Sequence, residues 1–166
     1  MIQVYTGNGK GKTTAALGLA LRAAGAGKKV YIAQFVKGMF YSELKSIRKI
    51  KNIKLEQFGR TCFIKKRPTK RDLELAVCGL EAVKKALKKD YGLIILDEIN
   101  IALKLGLLDL NEVLKIIKKC PVKIELVLTG RGAPAEIIKI ADLVSEIKEI
   151  KHYFNKGVKA RKGIEH

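Results

Sequence analysis

A chain of 166 residues has the length of one ordinary domain, and a single domain is expected. Its apolar runs fall short of the roughly 20 residues that cross a bilayer, and a β-like run starts at residue 2 with no signal peptide before it, so membrane and secreted classes are set aside and a cytoplasmic protein is expected. The excess of 34 Lys and Arg over 16 Asp and Glu, a formal charge of +18, raises nucleic-acid binding, but Lys84, Lys85, Lys88, Lys89, Lys115, Lys118 and Lys119 recur as on solvated helix faces and aromatics for base stacking are few, so nucleic acid is not the expected partner.

Ile2 to Tyr5 reads as the first strand, and Gly11 to Ala26, rich in Ala and Leu, as the helix that follows it; Gly25-Ala26-Gly27 then stops that helix. Between them lies Thr6-Gly7-Asn8-Gly9-Lys10-Gly11-Lys12-Thr13-Thr14. A short strand, a Gly-rich turn ending in Gly-Lys-Thr and a helix form the context of a phosphate-binding loop. The glycines let several backbone N–H groups converge on one anion at the positive end of the helix. Lys12 is expected to reach the β- and γ-phosphates and Thr13 to place its hydroxyl on Mg²⁺. The usual pattern has glycine where this chain has Thr6, and Gly7 sits one place late.

Val30 to Phe35 is a second, continuously apolar strand, as parallel strands covered on both faces tend to be. From Lys37 to Lys70 the pattern loosens into a weak helix (Leu44 to Ile50), a short strand (Ile53 to Phe58) and an irregular polar segment up to Pro68, a kind of stretch that often covers a site. Thr69 to Lys89 carries apolar residues at 73, 76, 77, 80, 83 and 87 behind a Thr69-x-x-Asp72 capping start, and predicts a helix. Cys62, Cys78 and Cys120 are odd in number and widely spaced, which argues against disulfides and zinc.

Gly92-Leu-Ile-Ile-Leu closes on Asp97 and Glu98. In phosphate-loop proteins such a strand ends beside the loop, so both carboxylates are candidate Mg²⁺ ligands. Leu108 to Lys119 reads as an amphipathic helix ended by Pro121, Ile124 to Leu128 as a strand, and Pro134 as the opening of a further helix. Thr129-Gly130-Arg131-Gly132 stands at a strand's carboxyl end, where open α/β sheets bind ligands. Leu143 to Ile147 reads as a last strand, and the basic tail from Lys151 has no regular pattern. The sum is an α/β three-layer sandwich around a mostly parallel sheet of about six strands.

These residues resemble a family. Thr6 to Ala16, Gln34-Phe-Val-Lys-Gly38, Leu96-Asp-Glu-Ile99, Leu128-Thr-Gly-Arg-Gly132, Ala141-Asp-Leu-Val-Ser-Glu146, and Lys151-His152 with Gly157 to Ala160 and Gly163 to Glu165 look, in this order, like the ATP:corrinoid adenosyltransferases of the phosphate-binding-loop type. The resemblance implies a P-loop NTPase (RecA-like) fold, ATP as co-substrate with Mg²⁺, a corrinoid as substrate, a homodimer, and a separate reductase that delivers Co(I). It implies that Co(I) attacks the 5′ carbon of ATP and expels the whole triphosphate, so that no water needs activating. Lys12, Glu98 and Phe63 are then the candidate catalytic residues. Thr6, Gly7, Asn8, Gly9, Lys10, Gly11, Lys12, Thr13, Thr14, Lys37 and Arg131 would contact the nucleotide, and Thr13, Asp97 and Glu98 the metal.

Two departures stand out. Relatives commonly carry an N-terminal extension that closes over the corrinoid, whereas this chain begins almost at its first strand. They also carry a Gly-Phe-x-Trp cluster that helps to displace the lower cobalt ligand; the stretch here is Gly59-Arg60-Thr61-Cys62-Phe63-Ile64, there is no tryptophan, and Phe63 is the best substitute. Two rival readings of the loop are a nucleotide-switched nucleic-acid-binding ATPase and a small-molecule kinase. Products separate them: triphosphate with an adenosylated corrinoid, ADP, or steeply salt-dependent nucleic-acid affinity.

Overall fold

The computed structural model describes residues 1–62, 64 and 67–165. Six strands form one sheet: β1 (Ile2–Thr6), β2 (Val30–Phe35), β3 (Ile53–Phe58), β4 (Leu93–Asp97), β5 (Glu125–Thr129) and β6 (Leu143–Glu146). Their order is β3-β2-β4-β5-β1-β6, and every neighbouring pair is parallel. The helices are α1 (Lys12–Gly25), α2 (Ser42–Ile47), α3 (Lys70–Ala86), α4 (Ile99–Lys104), α5 (Leu110–Lys118) and α6 (Ala135–Ile140).

The strands bury both faces because their residues serve two cores alternately. Ile32, Leu93, Ile95 and Val127 face Ala16 and Ala20 of α1 and Ile47 of α2. Their chain neighbours Tyr31, Ala33, Ile94, Leu96, Leu126 and Leu128 face α3, α4, α5 and α6. Three layers follow directly.

The sequence expectations hold for the six strands and for helices α1, α2, α3, α5 and α6, with ends shifted by a few residues. Helix α4, only 6 residues long, escaped them because it is shorter than two turns and carries no periodic signal. On α3, Ala76, Leu80 and Val83 are buried as expected, but Leu73 and Val77 are 41% and 51% exposed. The inward stripe runs instead through Asp72, Ala76, Gly79, Leu80, Val83 and Ala86. Gly79 is there because a methyl group would lie 2.8 Å from both Phe35 and Phe58. The capping box at Thr69 and Asp72 is present in both directions.

Because all strands run the same way, their carboxyl ends share one edge. β1 lies inside the sheet, with β5 between it and β4, so the loop after β1 and the acidic end of β4 emerge on that edge. The chain order reverses here, and a crevice opens at such a switch point.

Candidate active site

The loop after β1 is held in place before anything binds to it. Gly7 and Gly11 have φ of 94° and 122°, outside the range that side-chain-bearing residues readily adopt. Gly9 donates to the carbonyl of Ile147 at 2.7 Å, and Ile147 donates to Thr6 at 2.9 Å, so the segment after β6 braces the loop. A methyl group on Gly7 or Gly9 would fall 2.4 Å or 2.7 Å from backbone oxygens of that brace. Thr6, where glycine was missed, accepts from the Ala133 amide through its hydroxyl at 3.2 Å, tying the loop to the turn after β5. Helix α1 starts at Lys12 with no side-chain cap, so its first-turn amides are donors available to an anion.

Lys12 is buried, and its ammonium donates to the carbonyls of Gly7 and Gly9 at 2.7 and 2.6 Å. Burial lowers its pKa, only partly offset by the Glu98 charge. A lysine parked on its own loop is ready to exchange those carbonyls for phosphate oxygens. Asn8 and Thr14 stand exposed at the loop's rim.

Asp97 lies at the centre. The register of the sheet sets Gln34 beside it on β2, and on the other side Leu96 pairs with Leu128, which puts Thr129 at the next rung of β5. Its carboxylate is 1% exposed. Oδ1 accepts from the hydroxyls of Thr13 (2.9 Å) and Thr129 (2.7 Å), and Oδ2 from Gln34 (3.1 Å) and Lys37 (2.8 Å). Thr129 in turn accepts from the Glu98 amide at 2.9 Å, and Gln57 on β3 orients Gln34 at 3.1 Å. Lys37 also donates to Thr13 Oγ1 at 2.9 Å. Burial works against its charge, but Asp97 and then Glu98 outweigh that and raise its pKa.

Glu98 has φ of 61°, a left-handed conformation rare for a residue with a side chain, and so does Val36 at 60°. Both follow the ends of adjacent strands, β4 and β2, and both turn the chain sharply at the site edge. Strain of this kind persists where surrounding structure enforces it and clusters at functional sites. Burial, then the charge of Asp97, raises the Glu98 carboxyl above its ordinary value against the pull of Lys37, Lys12 and Arg131.

The oxygen donors Thr13, Asp97 and Glu98 suit a hard divalent cation, and a cation already sits among them: the Lys37 ammonium bridges Thr13 and Asp97. Among the described residues no group of three or more His, Cys, Asp or Glu could by itself hold a metal ion.

Arg131 is exposed on the turn after β5, where it lines a cavity of about 440 Å³ with Glu149, His152, Phe154 and Asn155. Asn100 of α4 supports that turn by donating to the Gly130 carbonyl at 3.1 Å. The tail, which has no regular pattern in sequence, forms a 3₁₀ turn at Tyr153–Lys156 and docks on the loop. Lys10 donates to Tyr153 Oη and Glu165 Oε1, both at 2.9 Å, Tyr153 also donates to Glu165, and Arg161 stacks 4.8 Å from the Tyr153 ring centroid. Lys10 thus turns toward the tail. His152 Nδ1 is engaged as acceptor of the Phe154 amide at 3.0 Å.

The candidates from Thr6 to Thr14, Lys37, Asp97, Glu98 and Arg131 thus share one edge of the sheet; Phe63 lies outside the described residues. Gln34, Gln57 and Thr129 complete the Asp97 network; Gln34 and Thr129 fall in two of the family-like blocks of the sequence, whereas no motif marks Gln57, which lies near the carboxyl end of β3. The exposed Cys62 and Cys78 and the partly exposed Cys120 are free thiols. No helix of the described residues is long and apolar enough to cross a membrane.

Among solved structures, the chain is similar to a KaiC-like protein of Pyrococcus horikoshii (TM-score 0.53, 16% identity, 90% of this chain and 73% of that one) and to the RadB recombinase (TM-score 0.51, 16% identity, 91% and 75%). These share the P-loop NTPase fold. By sequence it is 38% identical to the corrinoid adenosyltransferase of Pseudomonas aeruginosa, over 99% of this chain and 83% of the relative. It is 35% identical to that of Escherichia coli (100% and 85%) and 33% identical to that of Salmonella typhimurium (100% and 85%). The model of the ATP:corrinoid adenosyltransferase family BtuR/CobO/CobP matches residues 1–166, and the chain belongs to that enzyme family.

Proposed function

We propose that this enzyme transfers the 5′-deoxyadenosyl group of ATP to Co(I) of a reduced corrinoid and releases triphosphate. The cobalt–carbon bond forms as the bond between C5′ and the triphosphate oxygen breaks; the oxygen keeps that electron pair, and Co(I) becomes Co(III). The observation that carries the reading is the concentration of Lys12, Lys37 and uncapped α1 amides at one strand edge, next to the buried Asp97 carboxylate.

Co(I) is itself a strong nucleophile, so the protein's work is to place two substrates and to receive a large negative leaving group. Lys12 would move from the Gly7 and Gly9 carbonyls to the phosphates, and the α1 amides would hold the phosphate oxygens in place. Arg131 and Glu98 would border the nucleotide beyond the phosphates. Thr13 and Asp97, with Glu98 adjacent, would hold Mg²⁺, which when bound adds positive charge to the triphosphate. Phe63 would serve on the corrinoid side. A reductase would have to supply the electrons that make Co(I), and the family reading carries a homodimer with it.

The test mixes the protein with Mg-ATP and chemically reduced corrinoid under anaerobic conditions. The expected outcome is loss of the Co(I) absorption, appearance of an alkylcobalt spectrum and release of triphosphate. ADP as the nucleotide product would instead make it a kinase, and loss of Co(I) without an alkylcobalt product would remove the assignment.

A further inference from the structure

Every acceptor direction of Asp97 is taken, and one donor is itself a cation. Lys37 comes from the end of β2, one residue after the strained Val36, and places its ammonium 2.8 Å from Asp97 Oδ2 and 2.9 Å from Thr13 Oγ1. Its side chain is only 15% exposed, and the Tyr41 ring centroid lies 5.6 Å from the ammonium. Both oxygens belong to the residues assigned above to Mg²⁺. A divalent ion bonded to both cannot coexist with an ammonium bonded to both, since two cations within a few ångströms in a partly buried site repel strongly.

We infer that the Lys37 ammonium is the resident cation of the nucleotide-free site, occupying the Mg²⁺ position and leaving it when Mg-ATP arrives. The inference rests on the assignment of Thr13 and Asp97 to the metal. Two consequences follow. A buried carboxylate without a counter-charge is costly, so Lys37 pairs with Asp97 and holds Thr13 oriented while the site waits. Lys37 also excludes a free divalent ion, because the ion would have to displace a built-in partner without bringing phosphates to receive it. With ATP present, the flexible four-carbon stem lets the ammonium turn from Asp97 to the triphosphate, and the displaced charge is used rather than lost. Metal and nucleotide therefore bind together. Gly38, packed with its Cα against the Gly59 carbonyl, fixes the backbone from which Lys37 pivots.

Mn²⁺ serves as the probe, its free concentration read by electron paramagnetic resonance against the full chain without nucleotide. Wild type is expected to bind Mn²⁺ weakly. Lys37→Met and the polar Lys37→Gln are expected to bind it more tightly, on the order of ten- to a hundredfold. Mn²⁺ alone is also expected to raise their melting temperatures and not that of wild type. Lys37→Arg, which keeps a cation in place, should behave like wild type, and the Gln variant decides the matter if the Met variant does not fold. Equal Mn²⁺ affinity in wild type and the neutral variants, or tight Mn²⁺ binding by wild type without ATP, overturns the inference. Adenosyl transfer is measured separately: its absence with the Mn²⁺ pattern intact removes the proposed reaction alone, and the converse removes only the resident-cation role.

Discussion

Asp72 gives a prediction whose size can be worked from the structure. Its carboxylate is 4% exposed, accepts from Arg60 Nε at 2.7 Å and Nη2 at 3.0 Å, and takes the Thr69 amide and hydroxyl at 2.8 and 2.7 Å. Arg60 first, with Thr69 adding to it against burial, moves its pKa from an ordinary 3.8 down to about 2. That gap corresponds to about 2.4 kcal/mol of stability at neutral pH. The Arg60 side chain is 32% exposed, and solvent screening brings the figure to about 1–2 kcal/mol. A carboxylate whose folded pKa is depressed contributes fully above its unfolded pKa and loses the contribution as pH falls through the folded one. The stabilisation is therefore complete above about pH 5, reduced to about half near pH 3 and gone below about pH 1. Asp72→Asn should lower the melting temperature at pH 7 by about 2–8 °C. Urea unfolding of wild type and variant between pH 7 and 3 should show the difference shrinking toward pH 3. A difference independent of pH, or none at pH 7, would refute the argument.

Lys12→Ala is expected to abolish nucleotide binding, measured calorimetrically, together with turnover, while circular dichroism shows the fold retained; wild-type rates would contradict the phosphate role. Glu98→Gln removes a carboxyl whose pKa burial and Asp97 raise. Since a raised carboxylate pKa costs stability once pH exceeds it, the variant should melt higher than wild type at pH 7 and by the same amount as wild type at low pH, with reduced adenosyl transfer; a lower melting point at pH 7 would count against the burial argument. Gly38→Ala would set a methyl group 2.1 Å from the Gly59 carbonyl and 2.6 Å from that of Arg60, backbone atoms that cannot swing aside. Denaturant unfolding should show a loss of about 1–3 kcal/mol, and an unchanged midpoint would mean the two turns part easily.

Much of this molecule is legible in one dimension because the relevant signals are local. The Gly-rich turn between Tyr5 and Lys12 announces its own strand and helix, and four apolar residues ending on Asp97 and Glu98 mark a buried strand with a polar end. The phosphate loop, the acidic strand end and the Thr129-to-Arg131 turn are contiguous stretches whose chemistry needs no partner to be recognised. Short apolar runs likewise placed the six strands, and helical stripes the helices α3 and α5, though Leu73 and Val77 show that an apolar residue on a helix is not always inward.

What only the tertiary structure decided depends on pairings distant in sequence. The strand order brings Thr13, Gln34, Lys37, Asp97 and Thr129 onto one carboxylate, and nothing within any of those segments specifies the others. Sequence gives Lys37 only a nucleotide contact, through its place in the Gln34 to Gly38 block; in space it is the cation seated between Thr13 and Asp97. The tail reads as a patternless basic terminus because its order comes from docking Tyr153 and Glu165 on Lys10, about 150 residues away, rather than from any repeat of its own. Sequence by itself marked the segments proposed for phosphate chemistry, since that information lies in contiguous residues. The register of the parallel sheet decided which side chains meet, because neighbours across strands are set by hydrogen-bonded pairing and not by distance along the chain.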